Sequence, residues 1–462
     1  MKGIRKLFEP MDMTVGKPWK SIVSFSVPMI IGNIAQQLYS TVDSIVVGQY
    51  VGDNALAAVG SSMPLFNLLL VLFVGISAGV GIMVAQYFGA KSREDLSHSI
   101  GTSITVTAIA SLFLMVISPF VVMPLLKLLN TPASIINDCY SYLIILMYGI
   151  AGMAYYNILG GILRGMGDSF SALLYLLVAT VINVVLDIFF VAELNMGVAG
   201  VSLATVIAQF ISSALCLWKL MHMGDVFDLK AHHFKISPVH ATQLVKLGIP
   251  SGLTQAIFSS AMIVVQSLTN SFGEMFIAAN VIVMRVDGFA MMPNFSFGTA
   301  MTTYSGQNVG ARKLDRVSLG AKQGTLIAAG CSAFITLIIL VFGKYLMAIF
   351  TDTAELVELS VYMMRILAVG YIAMAVTQSL SGVMRGAGDT MTPMWISLCT
   401  TVLVRVPLAY GIAWLTRSPA NPNGMKECIQ ISLLTTWVMG AALTSLFYMM
   451  GKWKKKAIQQ FE

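Results

Sequence analysis

A chain of 462 residues that is 57% hydrophobic and 11% charged, with a mean hydropathy of +0.80, does not belong to the soluble globular class, where about a quarter of residues carry charge. Its formal charge of +7 would point to a nucleic-acid partner only if the basic residues clustered on one soluble face. They lie instead in short connections between apolar runs, which excludes that partner.

The apolar runs predict an all-α polytopic membrane protein with twelve transmembrane helices, near 21–49, 55–86, 98–121, 137–161, 170–192, 197–218, 243–270, 277–304, 320–343, 357–383, 393–415 and 427–451. The basic lead with Lys2, Arg5, Lys6, Lys17 and Lys20 is too long for a cleaved signal peptide, so the first run reads as an uncleaved span. With the N-terminus inside, 21 Lys and Arg fall on the inner side and only Lys127, Lys344, Arg417 and Lys426 on the outer. That asymmetry predicts an inner (cytoplasmic) cell membrane protein with both termini cytoplasmic.

Span one carries a single acid, Asp43, with Gln36 and Tyr39 on the same helical stripe and Pro28 near its start as a bend point. Span four offers Met153, Tyr155, Tyr156 and Asn157 as chamber-lining residues. Span five places Asn183 and Asp187 at i, i+4, and span six sets Ser202, Thr205 and Gln209 on one face. Asp187 lies roughly 7 Å from the outer end of its span at 1.5 Å per residue, a depth similar to that of Asp43. Two carboxylates with amide and hydroxyl oxygens at one level make an oxygen cage for a small hard cation, or a proton relay. Plain helix–helix hydrogen bonding would be served by Asn, Thr and Gln without two costly acids. In the second half Asp287 lies beside Arg285, with Met291 and Met292 nearby. Residues at i and i+2 do not face each other on a helix, so Asp287 needs another partner or a cavity.

An internal repeat organises the whole chain. VAQYFGAKSRED at Val84–Asp95 recurs as SGQNVGARKLDR at Ser305–Arg316, and GILRGMGDS at Gly161–Ser169 recurs as GVMRGAGDT at Gly382–Thr390, both offset by 221 residues. An offset holding an even number of spans gives a parallel repeat about an axis along the membrane normal. The predicted organisation is an N-terminal six-helix lobe over 1–218, a cytoplasmic linker over 219–242 and a C-terminal six-helix lobe over 243–462. Features shared by both halves serve architecture: the R-G-x-G-D turns and the Q-x-x-G-A-(K/R) loops read as anchors. Asp43 and Asp187 are present in one half only, their counterparts being valine at 264 or 265 and Leu408, which tilts them towards function.

Four of the five histidines, His222, His232, His233 and His240, fall in or beside the linker. Zinc could bind such a cluster, but the composition reads as a solvated connector with no metal. The cysteines are scattered and odd in number, without C-x-x-C. No histidine lies deep within a span and neither H-E-x-x-H nor G-x-S-x-G occurs, so no enzyme and no cofactor is expected.

Pro28 followed by Asp43, Asn183-x3-Asp187, the V-A-Q-x-x-G-A loop and the doubled R-G-x-G-D turn, in this order over twelve spans, resemble the multidrug and toxic compound extrusion (MATE) family. The resemblance implies a V-shaped carrier of two lobes exporting organic, often cationic or amphipathic compounds in exchange for H⁺ or Na⁺, and a monomer is expected. It implies a cation site at Asp43, Asn183, Asp187 and Thr205, with span one bending at Pro28. Two departures stand out: Ile188 follows the span-five acid where the family often has Pro, and spans seven and ten carry no deep carboxylate. The substrate chamber is expected to draw on Gln36, Tyr39, Met153, Asn157, Gln209, Asp287 and Met291. The rival function is a lipid or lipid-linked oligosaccharide flippase, whose chamber should be rich in inward Arg and Lys. Only Arg285, Arg365 and Arg405 lie within spans.

Overall fold

A computed structural model describes residues 9–129, 131–419 and 421–459, the side chains of residues 39–49, 53, 54, 56, 57, 64 and 459 excepted. It is built of helices: α1 Pro18–Tyr50, α2 Asp53–Ala90, α3 Arg93–Leu128, α4 Ile136–Tyr148, α5 Ile150–Gly165, α6 Ser169–Ile188, α7 Gly197–Met221, α8 Pro238–Asn270, α9 Glu274–Gly310, α10 Leu314–Ala348, α11 Ala354–Leu367, α12 Gly370–Gly386, α13 Met391–Ser397, α14 Val406–Leu415, α15 Cys428–Met449 and α16 Lys452–Gln459. Among the described residues ten helices are long and apolar enough to cross a membrane, and twelve spans result if α4–α5 and α11–α12 each count as one bent span.

Those two bends are a feature the hydropathy pattern does not reveal. They turn by 52° after Tyr148 and 46° after Leu367, and Gly149 and Gly370 stand 221 residues apart. Each glycine sits where a side chain will not fit: a Cβ would lie 2.2 Å from Val206 at Gly149 and 2.4 Å from the Trp437 ring at Gly370. Other backbone features recur at the same offset. Lys91 and Arg312 adopt left-handed φ of 55° and 58°, and Gly167 and Gly388 share a φ of 87°. The left-handed residue closes α2 and α9 by returning amide hydrogens to the last carbonyls, Ser92 N to Tyr87 O at 3.1 Å and Lys313 N to Asn308 O at 2.8 Å. In the R-G-x-G-D turn the aspartate caps the next helix. Ser171 N and Oγ donate to Asp168 at 2.9 and 2.7 Å, and Thr392 N and Oγ1 donate to Asp389 at 3.2 and 2.7 Å. Asp389 also pairs with Lys456 at 2.6 Å.

The chain divides into two compact units, Met1–Asp12 with Val27–Gly252, and Met13–Ser26 with Leu253–Glu462. The division falls inside α8, so the 219–242 connection lies wholly in the first unit. There the start of α8 packs on α2 through glycines: a Cβ at Gly75 would come within 2.8 Å of Gly248 O and one at Gly79 within 2.9 Å of Gly248 N. Small residues are what lets helix backbones approach this closely. In the second unit the segment starting at Met13 is held by the repeat loop, Met13 N donating to Gln307 Oε1 at 2.8 Å and Arg316 donating to Met13, Val15 and Gly16 carbonyls at 3.0–3.2 Å.

The connection after α7 is exposed over much of its length, as its composition suggests, but it is not detached from the fold. It docks along α3, Arg93 binding Asp228 at 3.0 and 3.1 Å, Asp228 N donating to Ser97 Oγ at 3.1 Å and Thr105 Oγ1 donating to Phe234 O at 2.7 Å. The reason is the face of small and hydroxylic residues Ser97, Gly101, Thr102 and Thr105 on α3. A Cβ at Gly101 would collide with His233 O at 2.2 Å.

Candidate functional site

Span five runs as α6 and then as a π-helical turn over Phe189–Glu193, beginning two residues after Asp187. Wide turns of this kind are frequent at functional sites because they re-aim side chains without ending the helix. One turn of α6 separates Asn183 from Asp187. Both are buried, and Asn183 Nδ2 donates to Asp187 Oδ2 at 3.1 Å. With its amide donor committed, Asn183 directs an acceptor, Oδ1, that is buried without a hydrogen-bond partner among the described residues.

Helix α7 packs along α6, fastened by Ser212 Oγ donating to Tyr175 O at 3.0 Å. It carries the half-buried Thr205, whose hydroxyl donates to Val201 O at 3.1 Å and keeps its oxygen as an acceptor. On the same face Gln209 presents a buried Oε1 that has no hydrogen-bond partner among the described residues. Amide, hydroxyl and carboxylate oxygens are the donors hard cations take.

The position of α7 is set by the bent fourth span. Gly149 meets Val206, next to Thr205, and Gly152 meets Phe210, next to Gln209. Met153 and Asn157 on α5 are half-buried and linked, Asn157 Nδ2 donating to Met153 O at 2.8 Å. Pro28 lies inside α1 and is half-buried, while Gln36 is exposed. The side chains of Tyr39 and Asp43, also on α1, lie outside the described residues.

In the second unit Asp287 is half-buried with Oδ1 inaccessible. The groups acting on it are the Tyr371 hydroxyl and the Arg405 guanidinium, not its sequence neighbour Arg285, which is exposed. Arg405 ends a second π-helical turn, Leu398–Arg405. Met291 is packed into the apolar core of this unit with Tyr371 and Trp437. Sequence reasoning missed Tyr371 and Arg405 as the surroundings of Asp287. The available signal was charge accounting, since Arg405 is one of three in-span cations in a half with one deep acid.

The profile of the MatE family matches twice, over 28–189 and 250–411, one match in each half of the repeat. The chain belongs to the MatE family. This polytopic membrane transporter is therefore a member of the multidrug efflux carriers that the repeat and the span-one and span-five motifs resemble. It is 29% identical to the probable multidrug resistance protein YoeA of Bacillus subtilis, over 95% of each chain, and 22% identical to the probable multidrug resistance protein NorM of Thermotoga maritima over 95% of this chain and 94% of that one. Its fold is that of a crystal structure of MATE in complex with MaL6, with a TM-score of 0.88 at 23% identity over 98% of this chain and 100% of that one. A MOP superfamily transporter from Pyrococcus furiosus, described as having a binding pocket of reversed polarity that suggests a different function, matches with a TM-score of 0.87 at 24% identity over 97% of this chain and 98% of that one.

Proposed function

We propose that this MatE-family chain is a cation-coupled antiporter, exporting organic cations or amphipaths in exchange for H⁺ or Na⁺ from a cytoplasmic membrane with both termini inside, and acting as a monomer. The observation that carries the reading is the buried Asn183–Asp187 pair, linked at 3.1 Å, in a half whose repeat partner has Val404 and Leu408 at those positions. A scaffold function would be served in both halves. An acid kept at depth in only one of them supports an ion-handling role.

In this mechanism the cation is taken by Asp187 with the acceptor oxygens of Asn183 and Thr205, together with Asp43 from α1. Loading neutralises negative charge that helps retain a cationic substrate, so substrate leaves on the outer side. The cation-loaded carrier reopens inward, and cation release restores the acids. Exchange follows because cation and substrate prefer opposite states of one equilibrium. The proline within α1 supplies a bend at which that helix can respond to the charge on Asp43.

The second reading is a flippase for lipids or lipid-linked sugars, whose chamber would need inward-facing Arg and Lys. The cations expected within the spans do not furnish such a chamber: Arg285 and Arg365 are exposed, and Arg405 faces Asp287. Proteoliposome uptake of a fluorescent organic cation, with H⁺ and Na⁺ gradients imposed separately, tests the proposal. One gradient should drive uptake in wild type and fail to do so in Asp43→Asn. Equal uptake by Asp43→Asn would defeat it.

A further inference from the structure

The docked connection brings histidines against the first turns of α3. Glu94 and His98 stand at i, i+4 on α3, and His232 and His233 come from the short 3₁₀ turn Ala231–Phe234. Three imidazole nitrogens converge on one carboxylate oxygen: His98 Nε2, His232 Nε2 and His233 Nε2 lie 3.3, 3.5 and 3.2 Å from Glu94 Oε1. One ligand atom from each of the four residues lies within 4.8 Å of every other.

We propose that Glu94, His98 and His232 form a divalent transition-metal site, with zinc as the fitting ion, that staples the connection to α3. Spacing is the first argument. Zinc held tetrahedrally at 2.0–2.1 Å from nitrogen or oxygen sets its ligand atoms roughly 3.3 Å apart, which is the spacing found around Glu94 Oε1. Proton count is the second. A carboxylate oxygen offers about two lone pairs, so three ring N–H groups cannot all be satisfied on it, and a nitrogen lone pair turned towards that oxygen would be repelled. A cation among these atoms removes the conflict.

The roles within the cluster differ. Lys230 N donates to His233 Nδ1 at 3.0 Å, which fixes the proton on Nε2. His233, whose side chain is 1% exposed, therefore donates to Glu94 and positions it without ligating. No such donor meets His98 Nδ1, which is buried without a hydrogen-bond partner among the described residues, so the lone pair of His98 is free to sit on Nε2. The site is preorganised by the contacts of Arg93, Ser97, Gly101 and Thr105 with the connection. It is open to solvent, the side chains of Glu94 and His232 being 69% and 52% exposed, which gives the ion access and leaves a fourth position for water.

The test uses the full-length chain, purified with its affinity tag removed and titrated with Zn²⁺ against a chromophoric chelator. Wild type should bind one Zn²⁺ saturably. His98→Ala, His232→Ala and Glu94→Gln should each bind roughly tenfold or more weakly, while His222→Ala, outside the cluster, should match wild type. His233→Ala should weaken binding and His233→Gln, which keeps an N–H donor, should restore it. Co²⁺ added to wild type should give the intense visible bands of a four-coordinate ion. Absence of saturable Zn²⁺ binding in wild type, unchanged affinity in His98→Ala and His232→Ala, or a weak six-coordinate Co²⁺ spectrum would overturn the assignment.

Discussion

Placing a methyl group on Gly149 tests how the fourth span positions α7 and the site it carries. A Cβ there would lie 2.2 and 2.4 Å from the two Val206 methyl carbons and 2.8 Å from Val206 Cβ, where carbon atoms normally rest about 3.5–4.0 Å apart. Overpacking on this scale costs about 1–3 kcal/mol. Val206→Ala alone removes two methyls from a half-buried side chain, a loss of about 1 kcal/mol at roughly 0.8 kcal/mol per fully buried carbon. In the double variant the 2.2 and 2.4 Å contacts vanish and only the 2.8 Å contact remains. It should therefore be more stable than the sum of the single changes by about 1–2 kcal/mol. Because Val206 follows Thr205, Gly149→Ala should also slow transport, and the double variant should recover part of the rate. Stability can be followed on heating with a thiol-reactive dye, since Cys139, Cys216 and Cys428 are free and fully buried. Additive stabilities, or a Gly149→Ala protein as stable as wild type, would refute this account of the packing.

The duplicated caps predict an asymmetry. Asp168→Ala should cost about 0.5–2 kcal/mol as a lost N-cap, and Asp389→Ala should cost about that plus up to ~1 kcal/mol for its half-exposed partner Lys456. Lys456→Ala should accordingly destabilise the wild-type chain but not the Asp389→Ala background. Arg316→Ala should raise amide exchange at residues 13–16, where it binds the Met13, Val15 and Gly16 carbonyls, while exchange in α9 stays unchanged. The hydrogen bond from Arg93 holds the Asp228 carboxyl below its usual range. A carboxyl with a depressed folded value stabilises docking above its unfolded value and loses that contribution as pH falls through the folded one. Protection of residues 225–230, taken as exchange relative to the intrinsic rate at the same pH, should thus fall below about pH 4, and Arg93→Ala should give low protection without this acid step.

What the sequence made legible was whatever a single helix or the 221-residue repeat could express. Asn183 and Asp187 meet because i and i+4 share a face, and the two R-G-x-G-D turns cap their helices because Gly supplies positive φ and Asp a capping oxygen. Features that arise between helices were hidden. Gly149 and Gly370 look like any glycine in an apolar run until Val206 and Trp437 close on them. Arg405 stands 118 residues from Asp287, so only packing reveals their relation. Docking of the histidine-bearing connection was hidden because composition does not record the small-residue groove on α3 that receives it.

The central claim is that Asp187 couples ion movement to export. Its most direct test compares two assays on Asp187→Asn in proteoliposomes: substrate exchange at equal ion concentrations, and substrate accumulation against a concentration difference under an imposed H⁺ or Na⁺ gradient. Exchange should persist and accumulation should vanish. Accumulation at the wild-type level in Asp187→Asn would contradict the account.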